Sequence, residues 1–222
     1  MSGAALQALY DLGYAQAAAV VGTPYAQYRA NGPNSPVTSA NKIAAPNAWL
    51  TTDAALKGAA QPQPGKPGWY AAIERAGLQV GDILIGQNGT FFVNCVDYPA
   101  PVSLTWCNNA AVQIDRLQTG FVAGVAMNYS GDTTQPTDTI MTGWPGWIQI
   151  AGSGVSGRPS GMKLPSDARL GIVQMFFPAT APAIQWNDLV TDDAGAQYYI
   201  DFAELTPLGW RCSASQVSMP NG

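Results

Sequence analysis

The chain contains no histidine, and only 11% of its 222 residues are charged. Without histidine, the Ser-His-Asp and Cys-His arrangements of nucleophilic catalysis are excluded. The three cysteines, Cys95, Cys107 and Cys212, show no Cys-x-x-Cys spacing, so we expect buried free thiols and no metal site. We therefore predict no catalytic residue and no cofactor, and the chain is not expected to be an enzyme.

Clustered positive charge and long apolar segments are also missing. The formal net charge is -4 without any run of Lys or Arg, which argues against binding to a nucleic-acid backbone through counterion release. The longest apolar stretch, residues 15–22, is too short to cross a bilayer, and the N-terminus lacks the basic residues of a signal peptide. We expect the protein to stay in the cytoplasm until it is assembled. The low charge favours an obligate assembly, although a secreted β-protein could share this composition.

What the chain does contain is 24 glycines and 17 prolines, which favour turns and short strands. Residues 2–21 carry apolar side chains at helical spacing before Gly22 and Pro24, which predicts an N-terminal helix. Its apolar face would pack on its own domain or dock on a partner. Residues 23–67 are rich in proline and punctuated by aromatics, which predicts an ordered extended arm.

From Trp69 onward, short β-rich runs alternate with turn residues. The predicted strands are 83–85, 90–96, 102–106, 111–117, 139–142, 147–151, 171–177, 189–191, 197–202 and 210–217, with a short helical turn over 69–76. The predicted fold is mainly β: two tandem small β-barrel or sandwich domains with an N-terminal helix and an extended arm. The boundaries are 1–22 for the helix, 23–67 for the arm, 68–118 for the first β domain and 119–222 for the second.

An internal repeat supports the two domains. In segments 81–93 and 187–200, an Asp opens an apolar strand, a polar loop ends in Gly, and an aromatic strand returns. Asp82 and Asp188, then Gly89 and Gly195, keep one offset. Further landmarks are Pro101, Trp106 and Cys107 in the first copy and Pro207, Trp210 and Cys212 in the second. The pattern predicts two β-hairpins with positive φ at the glycines and turns capped by the aspartates. Duplication is favoured over two unrelated hairpins.

One glycine-rich segment matches the GxGxxG pattern literally, at residues 152–157. A dinucleotide site needs a helix to begin there, but Arg158 and Pro159 follow and no amphipathic pattern does, so no cofactor is predicted. A long flexible loop over 152–165 is favoured. In a ring its two cations would form a positive band facing the lumen; in a single copy they would have no particular role. The candidate lumen residues are Gly152, Gly154, Gly157, Arg158 and Lys163.

Two side-chain clusters have competing interpretations. Asp188, Asp192 and Asp193 lie near one turn and could form a carboxylate pair or bind a hard cation. Solvated turn residues are the favoured interpretation. Four tryptophans could form a carbohydrate platform, but core or subunit-interface aromatics are favoured. These four are Trp144, Trp147, Trp186 and Trp210.

Short segments spread over most of the chain resemble structural proteins of tailed-bacteriophage virions. They are 9–11, 14–15, 21–25, 28–29, 51–53, 69–71, 81–85, 89–93, 143–145, 188–193 and 203–210. The two hairpins are similar to those of phage stopper, or head-completion, proteins. This resemblance implies small β-barrels in a ring between the portal or adaptor and the tail, where the ring joins head to tail and retains packaged DNA.

The resemblance also implies partners and a location. The partners would be further copies of the chain in a ring, the portal or adaptor and the tail proteins, with non-specific contact to packaged DNA and none to a membrane. The protein would be assembled into the virion in the bacterial cytoplasm. The candidate docking residues are Leu6, Leu9, Tyr10, Tyr25, Tyr28 and Arg29. The duplicated barrel and the arm depart from a single-barrel stopper. A tail terminator, a tail-tip or baseplate protein and a capsid cement protein therefore remain alternatives, as does a carbohydrate-binding β-module.

Overall fold

The computed structural model describes residues 3–53, 56, 66–97, 100–117, 137–151 and 172–218. Within these ranges the chain is mainly β, as predicted, with one N-terminal helix followed by two β domains. The helix and strands are α1 (Gly3–Val21), β1 (Thr23–Pro24), β2 (Ala26–Tyr28), β3 (Lys42–Ala44), β4 (Asn47–Thr51), β5 (Gly68–Ile73), β6 (Ile83–Gly86), β7 (Gly89–Cys95), β8 (Val102–Cys107), β9 (Asn109–Leu117), β10 (Thr137–Ala151), β11 (Ile172–Phe177), β12 (Leu189–Thr191), β13 (Gln197–Thr206) and β14 (Gly209–Ser218).

The first β domain is an eight-stranded antiparallel sheet in the order β1-β4-β5-β8-β7-β6-β2-β3. The two edges of this sheet are continuous with each other along the chain. Only Tyr25 separates β1 from β2, and only Ala45 and Pro46 separate β3 from β4. The Tyr25 N–H donates to the Pro46 carbonyl at 2.9 Å. Pro46 itself has no N–H to donate, which interrupts the ladder at this point. The sheet thus curls into a barrel with six strand positions, two of which hold broken strands.

The second β domain is a closed barrel in the order β10-β11-β14-β13-β12-β9. Strand β10 pairs with β9 along its first part and with β11 along its last five residues, and register shifts mark the bend between them. Gly143 lies in this bend with φ of 71°, a conformation that favours glycine. One continuous strand therefore occupies the position that β3 and β4 share in the first barrel.

The two barrels repeat each other strand for strand. The two strand orders align position by position: β2 corresponds to β9, β6 to β12, β7 to β13, β8 to β14 and β5 to β11. Each copy of the long hairpin carries a register shift at the same place, after Val93 and after Ile200. Gly89 and Gly195 have φ of 114° and 80°. The predictions of tandem barrels, duplicated hairpins and left-handed glycines are confirmed.

The later landmarks of the predicted repeat are not equivalent. Val93 pairs with Leu104 and Ile200 pairs with Ala214, which aligns Trp106 with Gln216 rather than with Trp210. The reason is the loop length: a two-residue turn joins β13 to β14, whereas six residues separate β7 from β8. The shared offset of the two prolines, and the Trp and Cys that follow each of them, were coincidental.

Two predicted boundaries are wrong. Residues 23–51 do not form a separate arm, because they supply β1 to β4 of the first sheet. The segment 109–117, predicted in the first domain, is β9 of the second barrel. The junction is Asn108, whose side chain bonds the backbone N–H and C=O of Ile148 at 2.8 and 2.7 Å. The predicted helical turn at 69–76 is strand β5 as far as Ile73.

Candidate functional site

The candidate lumen residues, Gly152, Gly154, Gly157, Arg158 and Lys163, lie outside the described residues. Their role stays a prediction.

The six candidate docking residues separate into two groups. Leu6, Leu9 and Tyr10 are exposed on α1. Tyr25, in contrast, is fully buried in the first barrel core, where its ring meets Phe91 edge-on. The fifth and sixth residues, Tyr28 and Arg29, are half-buried within the chain's own contacts. The docking prediction is therefore wrong for Tyr25, which is buried in the fold, and stays a prediction for Leu6, Leu9, Tyr10, Tyr28 and Arg29.

Arg29 forms a bidentate ion pair with Asp82. Its Nε and Nη2 donate to the two carboxylate oxygens at 2.8 Å each, and Nη2 also donates to the Gly77 carbonyl at 2.7 Å. The buried carboxylate accepts the Gln79 N–H at 2.8 Å and the Gln27 amide at 2.6 Å. The hydrogen bonds to Asp82 raise the pKa of Arg29, so the guanidinium keeps its charge.

The second barrel contains the same ion pair. Arg116 donates to both oxygens of Asp188 at 2.8 Å and to the Ala183 carbonyl at 2.8 Å. The Gln185 N–H donates to Asp188 at 2.7 Å, and the hydrogen bonds to Asp188 raise the pKa of Arg116. The predicted Asp caps are thus confirmed in both copies. The arginines were missed because each precedes a connection that is not alike in sequence between the copies.

The remaining carboxylates of the acidic cluster also have structural partners. Asp192 accepts the N–H groups of Ala194 and Ala196 at 2.9 and 2.8 Å and the Tyr198 hydroxyl at 2.8 Å. Burial raises the pKa of the Tyr198 hydroxyl, and its hydrogen bond to Asp192 raises this pKa as well. Asp193 accepts two backbone N–H groups at the start of β9. Among the residues described, no group of three His, Cys, Asp or Glu side chains could hold a metal ion.

The tryptophans do not form a binding platform. Trp144, Trp147 and Trp210 are buried at 0%, 5% and 9% exposure. Trp186 alone of the four is exposed, at 75%. The interpretation as core aromatics is confirmed for Trp144 and Trp210. Trp147 is buried against Phe176 on the outside of the second barrel, so the cluster that favoured carbohydrate binding is not present.

The junction between the barrels is an apolar cluster on the outside of the first barrel. Ile83, Phe92 and Cys107 are buried there, and Phe176 of the second barrel packs against them. Phe176 in turn contacts the Trp147 ring, with centroids 5.3 Å apart. A second link lies nearby: the Trp144 indole N–H donates to the Pro33 carbonyl at 2.6 Å. The two barrels therefore meet through a packed interface.

Helix α1 lies on β4 and β5 of the first barrel. The side facing the barrel includes Asp11, Tyr14 and Ala18; Arg75 reaches Asp11 at 3.5 Å and stacks over the Tyr14 ring at 5.1 Å. The opposite side bears Leu6, Leu9 and Val20, with exposures of 43%, 53% and 83%. The predicted apolar face of the helix therefore points away from its own barrel.

The cysteines differ in burial. Cys107 and Cys212 are buried, and Cys95 is half-buried. Desolvation raises the pKa of all three thiols, that of Cys212 to about 12 and that of Cys107 further. The prediction of buried free thiols is confirmed for two of the three.

We expect a thiol-specific disulfide reagent at pH 8 to label only Cys95 in the folded protein, because the thiolate of a buried cysteine is scarce and inaccessible. All three should react in denaturant. Absorbance of the released chromophore gives the count, and Cys95→Ser should abolish labelling of the folded protein. Rapid labelling of three thiols without denaturant would contradict this arrangement.

Comparison with known protein families, curated proteins and solved structures gives no match to any of them. The described part of the chain has no helix that is long and apolar enough to cross a membrane.

Proposed function

We propose that this chain is a structural protein of a tailed-phage virion, forming a ring at the head–tail junction that joins head to tail and helps to retain packaged DNA. The observation that carries the proposal is the tandem barrel with its duplicated hairpin, the element for which the sequence resembles stopper proteins. In this role the protein acts through geometry and interfaces rather than through chemistry.

The distribution of polar groups supports a structural role. The buried carboxylates, Asp82 and Asp188, are both engaged by arginine and backbone groups. Exposed apolar side chains occur on α1 and on both barrels, and contacts between copies in a ring would cover some of them. They include Leu6, Leu9, Leu12, Val20, Ile43, Ile150, Trp186, Phe202, Leu205 and Leu208.

The function is tested by mixing the purified chain with portal rings from the same virus and imaging them in negative stain. We expect a ring of added density at the tail-proximal end of the portal. Portal rings that stay bare, while the chain binds tail tubes or capsids, would move the protein to the tail-terminator, baseplate or cement alternatives.

A further inference from the structure

Each barrel has a row of outward-facing side chains across neighbouring strands, which we call the front row. In the first barrel it is Tyr28, Ile83, Phe92 and Thr105, which follow one another across β2, β6, β7 and β8. In the second barrel the same register gives Asp115, Leu189, Tyr199 and Ser215 across β9, β12, β13 and β14. The two rows are therefore equivalent positions of the repeat.

Each barrel also has an outward pair on the other side, the back pair. In the second barrel it is Trp147 and Phe176, which face each other across β10 and β11. In the first barrel the equivalent pair is Trp49 and Ala72, across β4 and β5. Ala72 faces away from the core yet is fully buried, because α1 covers this side of the barrel.

Inside one chain, the front row of the first barrel binds the back pair of the second, since Phe176 packs against Ile83 and Phe92. This contact joins two different surfaces of a repeated unit, so it is head-to-tail. A contact of this kind leaves one free surface of each type, so further copies can bind through the same contact. Among the described residues, no other barrel packs on the front row of the second barrel, and α1 covers the back side of the first barrel.

Both remaining surfaces have an apolar centre. On the second barrel, Leu189 and Tyr199 are half-buried and Phe202 on the same strand is 54% exposed. On α1, Leu6, Leu9 and Val20 form the outer stripe, directly opposite the side that meets the barrel. A helix needs an apolar stripe only where something packs on it.

We propose that the front row of the second barrel binds the outer stripe of α1 in another copy of this chain, so that copies join head to tail. The inference rests on the proposed ring and names the interface that builds it. In this contact α1 would lie between the second barrel of one copy and the first barrel of the next. Within one chain, in contrast, the two barrels contact each other directly. A head-to-tail contact closes into a ring if the rotation between copies closes.

The test uses two single variants of the full chain, Leu9→Glu on the outer stripe and Tyr199→Glu on the front row. A buried carboxylate without a partner is costly in an interface, so we expect each variant to weaken self-association about 30-fold or more. Leu208→Glu is the matched control. Leu208 lies in the β13–β14 turn and is as exposed as Leu9, so this variant should assemble like the wild type. Circular dichroism checks folding, and Leu189→Glu replaces Tyr199→Glu if the latter does not fold.

Mixing the two variants decides between arrangements. The Leu9→Glu copy keeps its front row and the Tyr199→Glu copy keeps its outer stripe, so together they form one intact contact and stop there. Light scattering should show monomers for each variant and a species of twice the chain mass for the mixture. Helix-to-helix pairing would instead be lost in Leu9→Glu, intact in Tyr199→Glu and not restored by mixing.

The inference is overturned if Tyr199→Glu assembles like the wild type, if the mixture stays monomeric, or if the wild-type chain alone does not associate at micromolar concentrations. Each of these results concerns the contact between copies. Whether the chain belongs to the neck is decided separately by imaging with portal rings, so the two proposals fail independently.

Discussion

Replacing Trp144 with alanine is expected to lower the free energy of unfolding by about 4 kcal/mol. The indole is fully buried in the core of the second barrel, and its loss leaves a cavity that a closed barrel fills poorly. The substitution also removes the hydrogen bond to the Pro33 carbonyl, which ties the segment between β2 and β3 to the second barrel. The Ser35 N–H to Thr142 carbonyl bond, at 2.7 Å, would be weakened with it.

Urea denaturation followed by circular dichroism measures this loss. Trp186→Ala is the matched control, because the same indole is removed from an exposed position, and its effect should stay within about 0.5 kcal/mol. Trp144→Phe keeps one aromatic ring but loses the hydrogen bond and part of the buried volume, so it should cost about 2 kcal/mol, less than the loss for Trp144→Ala. A Trp144→Ala protein as stable as the wild type would show that the barrel core is not packed as described.

The second large effect is expected from the twin ion pairs. Asp82→Ala and Asp188→Ala should each lower the free energy of unfolding by about 3 kcal/mol, the low end for a broken buried pair. Each aspartate is 1% exposed, whereas its arginine is about a third exposed and can regain water. The backbone N–H groups of Gln79 and Gln185 lose their acceptor as well.

Because the two ion pairs are equivalent, we expect the two variants to lower the free energy of unfolding by amounts within about 1 kcal/mol of each other. The loss in the double variant should equal the sum of the two single losses. Asp201→Ala provides the control, because Asp201 is exposed and its carboxylate accepts a hydrogen bond from the Ser215 hydroxyl at 2.7 Å. Urea denaturation again gives the values. A large loss at one aspartate with none at the other would contradict the equivalence of the barrels.

Strands β11 and β14 of the second barrel could be predicted well from the sequence because buried positions alternate with more exposed ones along them. A periodicity of two is the signal that predicts a strand. The first strands carry no such signal: β1 has two residues and includes Pro24, and β3 follows a 3-10 turn. Their order comes from pairing with distant strands, which local sequence does not encode.

The helix was predicted, but its orientation was not. Leu6, Leu9 and Val20 have the spacing of a core-facing stripe, yet α1 meets its barrel through Asp11, Tyr14 and Ala18. Small side chains allow a helix to approach a sheet closely, as Gly22 shows, where an added Cβ would lie 3.0 Å from the Ala48 backbone. In an Ala-rich helix both sides can pack, so spacing alone does not select one.

The Arg–Asp pairs illustrate a different limit. Asp82 and Asp188 could be matched because each directly precedes the first strand of its hairpin, although the second hairpin is one residue longer than the first. Arg29 and Arg116 precede connections that end at β3 and at β10, and no shared residues around them reveal that they are equivalent. Their relation follows only from the register, in which Tyr28 pairs with Ile83 and Asp115 pairs with Leu189.

The central claim, that this chain builds a ring from repeated barrels, is tested most directly by native mass spectrometry of the purified wild-type protein. We expect one dominant assembly of fixed copy number greater than two, since a head-to-tail contact closes only when the ring is complete. A protein that remains a monomer at all accessible concentrations, with and without portal rings, would contradict it.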